Sequence, residues 1–573
     1  MESLGRFSVS AGFNASSFMP PQLGLSRQIL DNIRSTTFNL SPRETIFLIV
    51  CVAWALEPLF EKEPAVTSAV YHGYSSWLEP TLFLRARFIL NAKALVASGS
   101  LKWKDRPFVL RRWDMDLTVF PNKFLDELRH YPASKLSGVH AHIGNMVPKW
   151  TYSEFMTQSD LQFRVLLQKV NPSLSKYLDV AQNELDHAWP IDMPQPQEWA
   201  VVDVQHALRM SVSRVTARLF LGESACRNRE WLNLSVSFSI DFFACAYILR
   251  KIPKVLHPII APLLPLRWRL AKALRTSTAI VGPLVERHKD VVQRRAAGEK
   301  VAEEENLLNW IIDNAEADST VEQHSHRQAF LTLASIFTTA TTVSNLLFDL
   351  CAHPDWVVVL RTEIEEIEKD LGRFGERAGI GAEQWLPRLE KMDSALAESL
   401  RMSPPLLLVN QRHALVPISL KDGTHIPSGT RIACSKGDIV YNDPAADQFD
   451  PMRWYRKRYE TGDTDKHLAV MPEKDYMHFG FGRQACPGRH LAVGMVKLMM
   501  IKLLSEFEFK FPQGKGRPKT FTADEYCFLD LSAKLMVRKR RIVSGVVEKS
   551  DAGSYMGEDP MIGDGDHRDG TGS

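Results

Sequence analysis

One cysteine constrains this chain more than any other residue. It stands in the run Phe479-Gly480-Phe481-Gly482-Arg483-Gln484-Ala485-Cys486-Pro487-Gly488-Arg489. Three glycines within nine residues let the backbone approach a ligand closely and adopt positive φ. A segment with the look of an amphipathic helix follows from about Gly488 to Glu506. Cys486 thereby falls at a helix start, where unpaired N–H groups and the helix dipole favour a thiolate. A lone cysteine in a tight turn is ordinarily a small buried hydrophobe. The spacing F-x-x-G-x-x-x-C-x-G, with aromatic residues beside the sulfur, reverses that preference and points to a sulfur ligand.

The other cysteines do not compete for the role. Seven in all, at positions 51, 226, 245, 351, 434, 486 and 527, are sparse and odd in number, and none forms a CxxC pair. A disulfide-stapled scaffold, a zinc ribbon and a dithiol redox site are therefore excluded. The chain has 573 residues, 45% hydrophobic and 24% charged, enough to bury a large core and too apolar for intrinsic disorder. Its net charge of +3 hides one asymmetry. Residues 545–573 carry seven acids against Lys549 and Arg568, with seven glycines, and read as a disordered acidic tail. The remaining basic excess is spread along the chain apart from Arg538-Lys539-Arg540-Arg541, so no nucleic-acid-binding face is predicted.

Periodicity predicts a mainly α protein with small β-sheets near both ends, in one large α+β domain over 81–544. Phe108–Leu110 and Leu117–Phe120 read as strands, and Pro121 opens a helix through Arg129. Helical patterns then dominate to about residue 405, with a loop at Pro190–Pro196 and a loop-like, charge-poor stretch at Leu256–Trp268. That stretch is either core packing or a surface touching a membrane or a greasy pocket. Gln323–Cys351 is a long, threonine-rich helix, and Pro354 to about Leu371 a second one with a solvated face. Asp422-Gly423 reads as a hairpin turn between Leu415–Leu420 and Arg431–Cys434.

Residues 1–80 form an N-terminal segment without the features of a secretory signal peptide. Its apolar run, about 46–60, has a strongly apolar core of eleven residues, Ile46–Leu56. At 1.5 Å per residue that core covers about 16 Å, short of the ~30 Å hydrocarbon layer. Both a membrane attachment and a buried helix remain open. Asn14 and Asn39 begin glycosylation sequons, which matter only for a luminal terminus.

An anionic sulfur in a glycine-rich loop suits axial ligation of haem iron, where thiolate donation favours O–O cleavage. Two further motifs stand upstream in order. Glu398-Ser399-Leu400-Arg401 is E-x-x-R, two side chains on one helix face, and Phe449-Asp450-Pro451-Met452-Arg453-Trp454 is F-x-P-x-R-[FW]. With these three signals the chain resembles the cytochrome P-450 family, and in flavour its filamentous-fungal branch similar to ent-kaurene oxidases. The resemblance implies that fold, with haem b between a long central helix and the cysteine loop. It implies Cys486 as the iron's axial ligand, Phe479, Gly482 and Gly488 as cofactor-binding loop positions, and Glu398, Arg401 and Arg453 as a structural ion-paired cluster. The family usually has a basic residue two before the cysteine; here it is Gln484, and Arg483 or another cation is left to take that part.

The family's oxygen-activating helix carries a pattern like A-G-x-[DE]-T-T, matched by Ala334-Ser335-Ile336-Phe337-Thr338-Thr339. Thr338 then holds the alcohol that hydrogen-bonds dioxygen and organises proton delivery, while Phe337 replaces the acid. The greasy run Pro404–Val409 resembles the family's pocket-lining segment and suits a terpenoid or related hydrophobic metabolite. No P-loop or dinucleotide glycine pattern is present, so electrons are expected from a separate NADPH-cytochrome P-450 reductase, with cytochrome b5 a second candidate donor. The resemblance implies a monooxygenase of the endoplasmic reticulum membrane with its catalytic domain facing the cytosol. Two alternatives remain: a haem-thiolate isomerase or dehydratase acting on an oxidised substrate, and a non-catalytic haem-binding membrane protein.

Overall fold

The computed structural model describes residues 41, 63–76, 78–316, 318–376, 379–435 and 445–541. The apolar run at 46–60, the sequon asparagines Asn14 and Asn39 and the acidic tail lie outside them. The chain opens with β1 (Val70–Tyr71), α1 (Thr81–Lys102), β2 (Phe108–Arg111), β3 (Asp116–Phe120), β4 (Leu136–Ser137) and α2 (Gly138–Asn145). A helical body follows: α3 (Leu174–Asp192), β5 (Ala200–Val202), α4 (Val204–Leu221), α5 (Arg229–Lys251), α6 (Pro265–Ala296), α7 (Val321–Ala352), α8 (Pro354–Leu371) and α9 (Glu390–Met402). The last part holds β6 (Val409–Ala414), β7 (Ile418–Ser419), β8 (His425–Ile426), β9 (Arg431–Cys434), α10 (Arg453–Thr461), α11 (Arg489–Glu506), β10 (Phe507–Lys510), β11 (Phe521–Ala523), β12 (Tyr526–Phe528) and β13 (Leu535–Lys539).

The sheets join distant parts of the chain. One has the order β1-β2-β3-β9-β6-β4, so the strands before the helical body pair with those after it. A second, β10-β13-β5, clamps the end of α11 to the middle of the chain. The turn at Asp422-Gly423 does close a hairpin, but its arms are β7 and β8. Arg431–Cys434 pairs instead with β3 and β6, because a buried central strand gains two neighbours there.

Helix α7 is the axis of the largest apolar cluster, which also draws side chains from α3, α4, α5, α6, α9 and α11. It begins at a capping box in which Thr320 and Gln323 satisfy each other's backbone N–H. Both α5 and α7 are long and apolar enough to cross a membrane, yet 50% and 67% of their apolar windows are buried inside the protein. They are core helices of the fold.

Three local expectations change. Helix α3 runs through Pro190 to Asp192, because a proline in the last turn forfeits little and Trp189 is anchored in the core. Leu256–Trp268 is a chain of short helical turns that enters α6. Helix α11 is buried nearly all round, from Leu491 to Leu504, so it is a core helix without an amphipathic face.

Candidate active site

The cysteine loop is a tight closure built by its own backbone. Cys486 N–H donates to Phe479 O at 2.7 Å, and Ala485 N–H to Gly482 O at 3.1 Å. Gly482 has φ +71°, and a Cβ there would lie 2.7 Å from Arg129 Cβ, so glycine is required on both counts. Phe479 packs on the main core, and the Asn171 amide donates to Pro487 O at 3.1 Å. Arg489 holds the far side, donating to Val470 O and Cys486 O. Gly488 differs: a Cβ there would meet open space.

Cys486 is exposed at the open side of the loop, with protein packed close behind it. Burial pushes its thiol pKa up, while the N–H groups of Gly488 and Arg489 and the Arg489 charge oppose that. A coordinated cation would favour the thiolate against that burial.

Helix α7 supplies a second wall. Ala334 and Thr338, one turn apart, are exposed in the middle of a helix that is otherwise mostly buried. Thr338 Oγ1 donates to Ala334 O at 2.8 Å, and the helix continues through it without a bulge. Phe337 turns aside and packs against Phe243 of α5 and Phe528 of β12, with ring centroids 5.5 and 6.2 Å away. Leu406 bridges to Tyr526, tying the Pro404–Val409 run to the hairpin β11-β12.

Behind the loop, Glu398 receives Arg401 at 2.9 and 2.7 Å and Arg453 Nε at 3.2 Å, all on a fully buried carboxylate. Asp450 N–H adds a fourth donor at 3.1 Å. The structure thus brings Glu398, Arg401 and Arg453 together, on α9 and at the start of α10.

Gln484 serves the scaffold. Its Oε1 accepts from Gly138 N–H at 2.7 Å and its Nε2 donates to Leu136 O at 2.8 Å, tying the loop to β4 and α2. Arg483 is exposed. The cation that faces inward is Arg412 of β6, which the sequence reading did not single out. Its guanidinium is buried, donates to Gln411 O, Asn410 Oδ1 and Phe481 O, and has no carboxylate partner among the described residues. Burial lowers its pKa to about 10. Arg431 is lowered to about 10 by the same cause, and His142 to about 4 by burial followed by the charges of Arg412 and Arg431. Such a corner calls for an anion. No local pattern announces it; an arginine inside a buried strand is the one available hint. Lys497 of α11 is buried in an ion pair with Asp393 at 2.8 Å.

These residues fit a haem. A metal suits the Cys486 sulfur, carboxylates suit Arg412 and its neighbours, and the open space over Gly488 leaves room for a flat ring.

Comparison with known proteins agrees with this geometry. The family model for cytochrome P-450 matches residues 158–537. The cytochrome P-450 monooxygenase ATR4 of Stachybotrys chlorohalonatus is 41% identical, over 86% of this chain and 94% of its own. The monooxygenase sdnB of Sordaria araneosa is 37% identical over 87% and 93%, and an ent-kaurene oxidase of Gibberella fujikuroi 35% over 82% and 92%. The retinoic acid-bound cyanobacterial CYP120A1 shares the fold, with a TM-score of 0.55 over 79% of this chain and 96% of its own at 17% identity. With its cysteine loop, its ion-paired scaffold and these relatives, the chain belongs to the cytochrome P-450 family and is a monooxygenase of the kind found in fungi.

Proposed function

We propose that this monooxygenase oxidises a hydrophobic polycyclic terpenoid or a related fungal metabolite, with electrons from an NADPH-dependent flavoprotein reductase. The observation that carries the substrate class is the aromatic wall Phe243–Phe337–Phe528 beside Thr338. It offers apolar faces from three elements, which suits a rigid hydrocarbon and rejects a sugar. A relative named as an ent-kaurene oxidase supports the same class.

The haem, when bound, supplies activation of dioxygen. The chain's own residues divide the remaining work. Cys486 supplies the iron ligand, and Phe479, Gly482 and Gly488 shape the loop around it. Arg412 and Arg431 would hold the carboxylates, with His142 beside them. Thr338 presents a hydroxyl to the cavity, and the aromatic wall orients substrate and keeps water out. Glu398, Arg401 and Arg453 keep the loop's scaffold rigid. Membrane attachment fits the same reading: Val255, Ile259, Leu263 and Trp268 are 80%, 65%, 66% and 57% exposed within one short segment, an apolar patch suited to a lipid surface. An endoplasmic reticulum location with the catalytic domain on the cytosolic side would place the chain beside its reductase.

The test is the carbon monoxide spectrum of the reduced protein beside Cys486→Ser, followed by turnover of ent-kaurene with reductase and NADPH. A strongly red-shifted band lost in the variant, with product that requires NADPH, is the expected result. Phe337 in the acid's place favours one second reading, rearrangement of an already oxidised substrate; product formed without reductase would establish it. Haem binding with no turnover of any hydrophobic substrate would mark a non-catalytic protein.

A further inference from the structure

Between the end of α4, the later part of α6 and the segment 299–306 lies a cavity of about 470 Å³, within the usual range for small-molecule sites. Leu221 of α4 and Leu284 of α6 give it apolar surface, and its polar lining includes Arg227, Arg287, Glu303 and Asn306. None of these residues belongs to the elements that carry Cys486, Thr338 or Phe337. A molecule here is therefore a second ligand and not the one oxidised. Gly222, which caps α4, lines the cavity too. It has φ +91°, and a Cβ there would stand 3.0 Å from Glu304 Oε2 and 3.5 Å from Asn306 Nδ2, so glycine keeps this corner open.

The charges around this cavity are unevenly spent. Segment 299–306 carries four acids, and each is already engaged. Glu299 meets Arg294 at 2.8 Å, Glu303 meets His288 Nδ1 at 2.9 Å, and Glu305 meets Lys176 at 2.6 Å. Glu304 takes Arg218 and the Glu223 N–H. The Glu223 carboxylate in turn faces Arg227 at 2.8 Å. Arg287 is exposed and has no ion pair or hydrogen bond among the described residues. Asn306 presents a second unspent donor. It is 6% exposed, and its Oδ1 accepts from Asn309 N–H at 2.9 Å to cap the helix Leu307–Asp313. Its Nδ2 has no acceptor among the described residues. Arg227 is a third donor in reserve, because an exposed i, i+4 pair holds it weakly. A guanidinium fork and an amide N–H without acceptors suit a carboxylate or a phosphate.

We propose that this cavity binds a small organic anion, with its carboxylate or phosphate on Arg287 and Asn306 and its carbon skeleton against Leu221 and Leu284. An inorganic ion would leave most of the space to water, whereas a ring or a short chain fills it and covers the two leucines. Glu303 and Glu304 narrow the choice further. They repel a second anionic group brought to their side, so the ligand carries its charge at one end. The site joins α4, α6 and segment 299–306, and both helices pack against α7. A bound anion therefore ties together the two helices that support α7, and stabilises them by its own binding free energy.

The test uses the haem-loaded full chain and probes that share one ring: benzoate, phenyl phosphate and the neutral benzyl alcohol. Isothermal titration calorimetry at low salt should show binding of at least one anion, benzyl alcohol weaker by about tenfold or more, and an unmoved Soret band. Benzoate alone would assign a carboxylic acid and phenyl phosphate alone an organic phosphate; either supports the site. Arg287→Glu should weaken the bound anion by about tenfold or more. Arg275→Glu changes another exposed arginine of α6 and the net charge equally, and should bind as wild type does. Both side chains are exposed, and an unchanged carbon monoxide band shows that both variants fold. Binding of neither anion overturns the proposal. Binding that moves the Soret band and is the same in Arg287→Glu also overturns it, since the anion then sits at the haem. Equal loss in both variants overturns it as well, because overall charge alone then accounts for the binding.

Discussion

Two buried charge clusters hold this protein, and they differ in how their charges are shared. Behind the cysteine loop, one carboxylate, Glu398, takes both Arg401 and Arg453. At the other cluster, Arg112 and Arg250 are shared among Asp114, Asp524 and Glu525. Arg112 lies 2.5 Å from Glu525 and 2.7 Å from Asp114, and Arg250 lies 3.0 Å from Asp524 and 3.5 Å from both Asp114 and Glu525. Lys251 adds a contact to Asp524 at 2.7 Å. The first cluster braces the cofactor loop. The second joins the end of β2, the end of α5 and the tip of the β11-β12 hairpin, the elements that carry Phe243 and Phe528. Both arginines of the first cluster meet at Glu398, so its loss touches two ion pairs at once, whereas the second cluster spreads its pairs over three carboxylates.

The largest effect is therefore expected at Glu398. Glu398→Ala removes the buried carboxylate that both Arg401 and Arg453 reach, a loss of about 3–5 kcal/mol. Urea denaturation and the fraction of protein recovered with haem measure it. A loss below about 1 kcal/mol would break the single-hub view.

Glu525→Gln should cost less, about 1–3 kcal/mol, because the amide oxygen still accepts from Arg112 while Asp114 stays on Arg112 and Asp524 on Arg250. The same variant sharpens the comparison through pH. Burial pushes the Glu525 carboxyl up, but Arg112 and Arg250 pull it below its ordinary value, and Asp114 is lowered in the same way. A carboxylate lowered on folding contributes stability that is complete above its unfolded pKa, about 4.3 for Glu, and is lost as pH falls toward the folded value. Wild-type urea midpoints should fall from about pH 5 to about pH 3, and those of Glu525→Gln should fall less. Equal slopes would place the acid sensitivity elsewhere.

The same contrast explains what the sequence disclosed. Glu398 and Arg401 are three residues apart on one helix, and Cys486 sits in a loop whose glycines are local, so pattern and chemistry coincide within a few residues. The helical body was legible for the same reason, since each helix writes its own period. Arg112 and Glu525 are separated by 413 positions and meet only because β2 and the β11-β12 hairpin are folded together. Arg412 looked like any strand residue until its burial showed a cation without an anion. Pro190 lies in the last turn of α3 and the prolines of Leu256–Trp268 open its short helical turns, positions where a missing N–H costs little, so proline alone marks no loop in either place.

The smallest effect belongs to the rim of the shared network. Lys251 is 21% exposed on its side chain, and its partner Asp524 keeps Arg250 if the amine is removed. Lys251→Met preserves the aliphatic stem against its neighbours and deletes only a partly screened charge, so the loss should be under about 1 kcal/mol. Combining it with Glu525→Gln makes the comparison quantitative. Opposite charges shared in one network predict a double variant that loses less than the two singles together, because removing Lys251 offsets the positive excess that Glu525→Gln leaves. Strict additivity would mean that the cluster is a set of independent pairs, and that sharing does not distinguish it from the Glu398 hub.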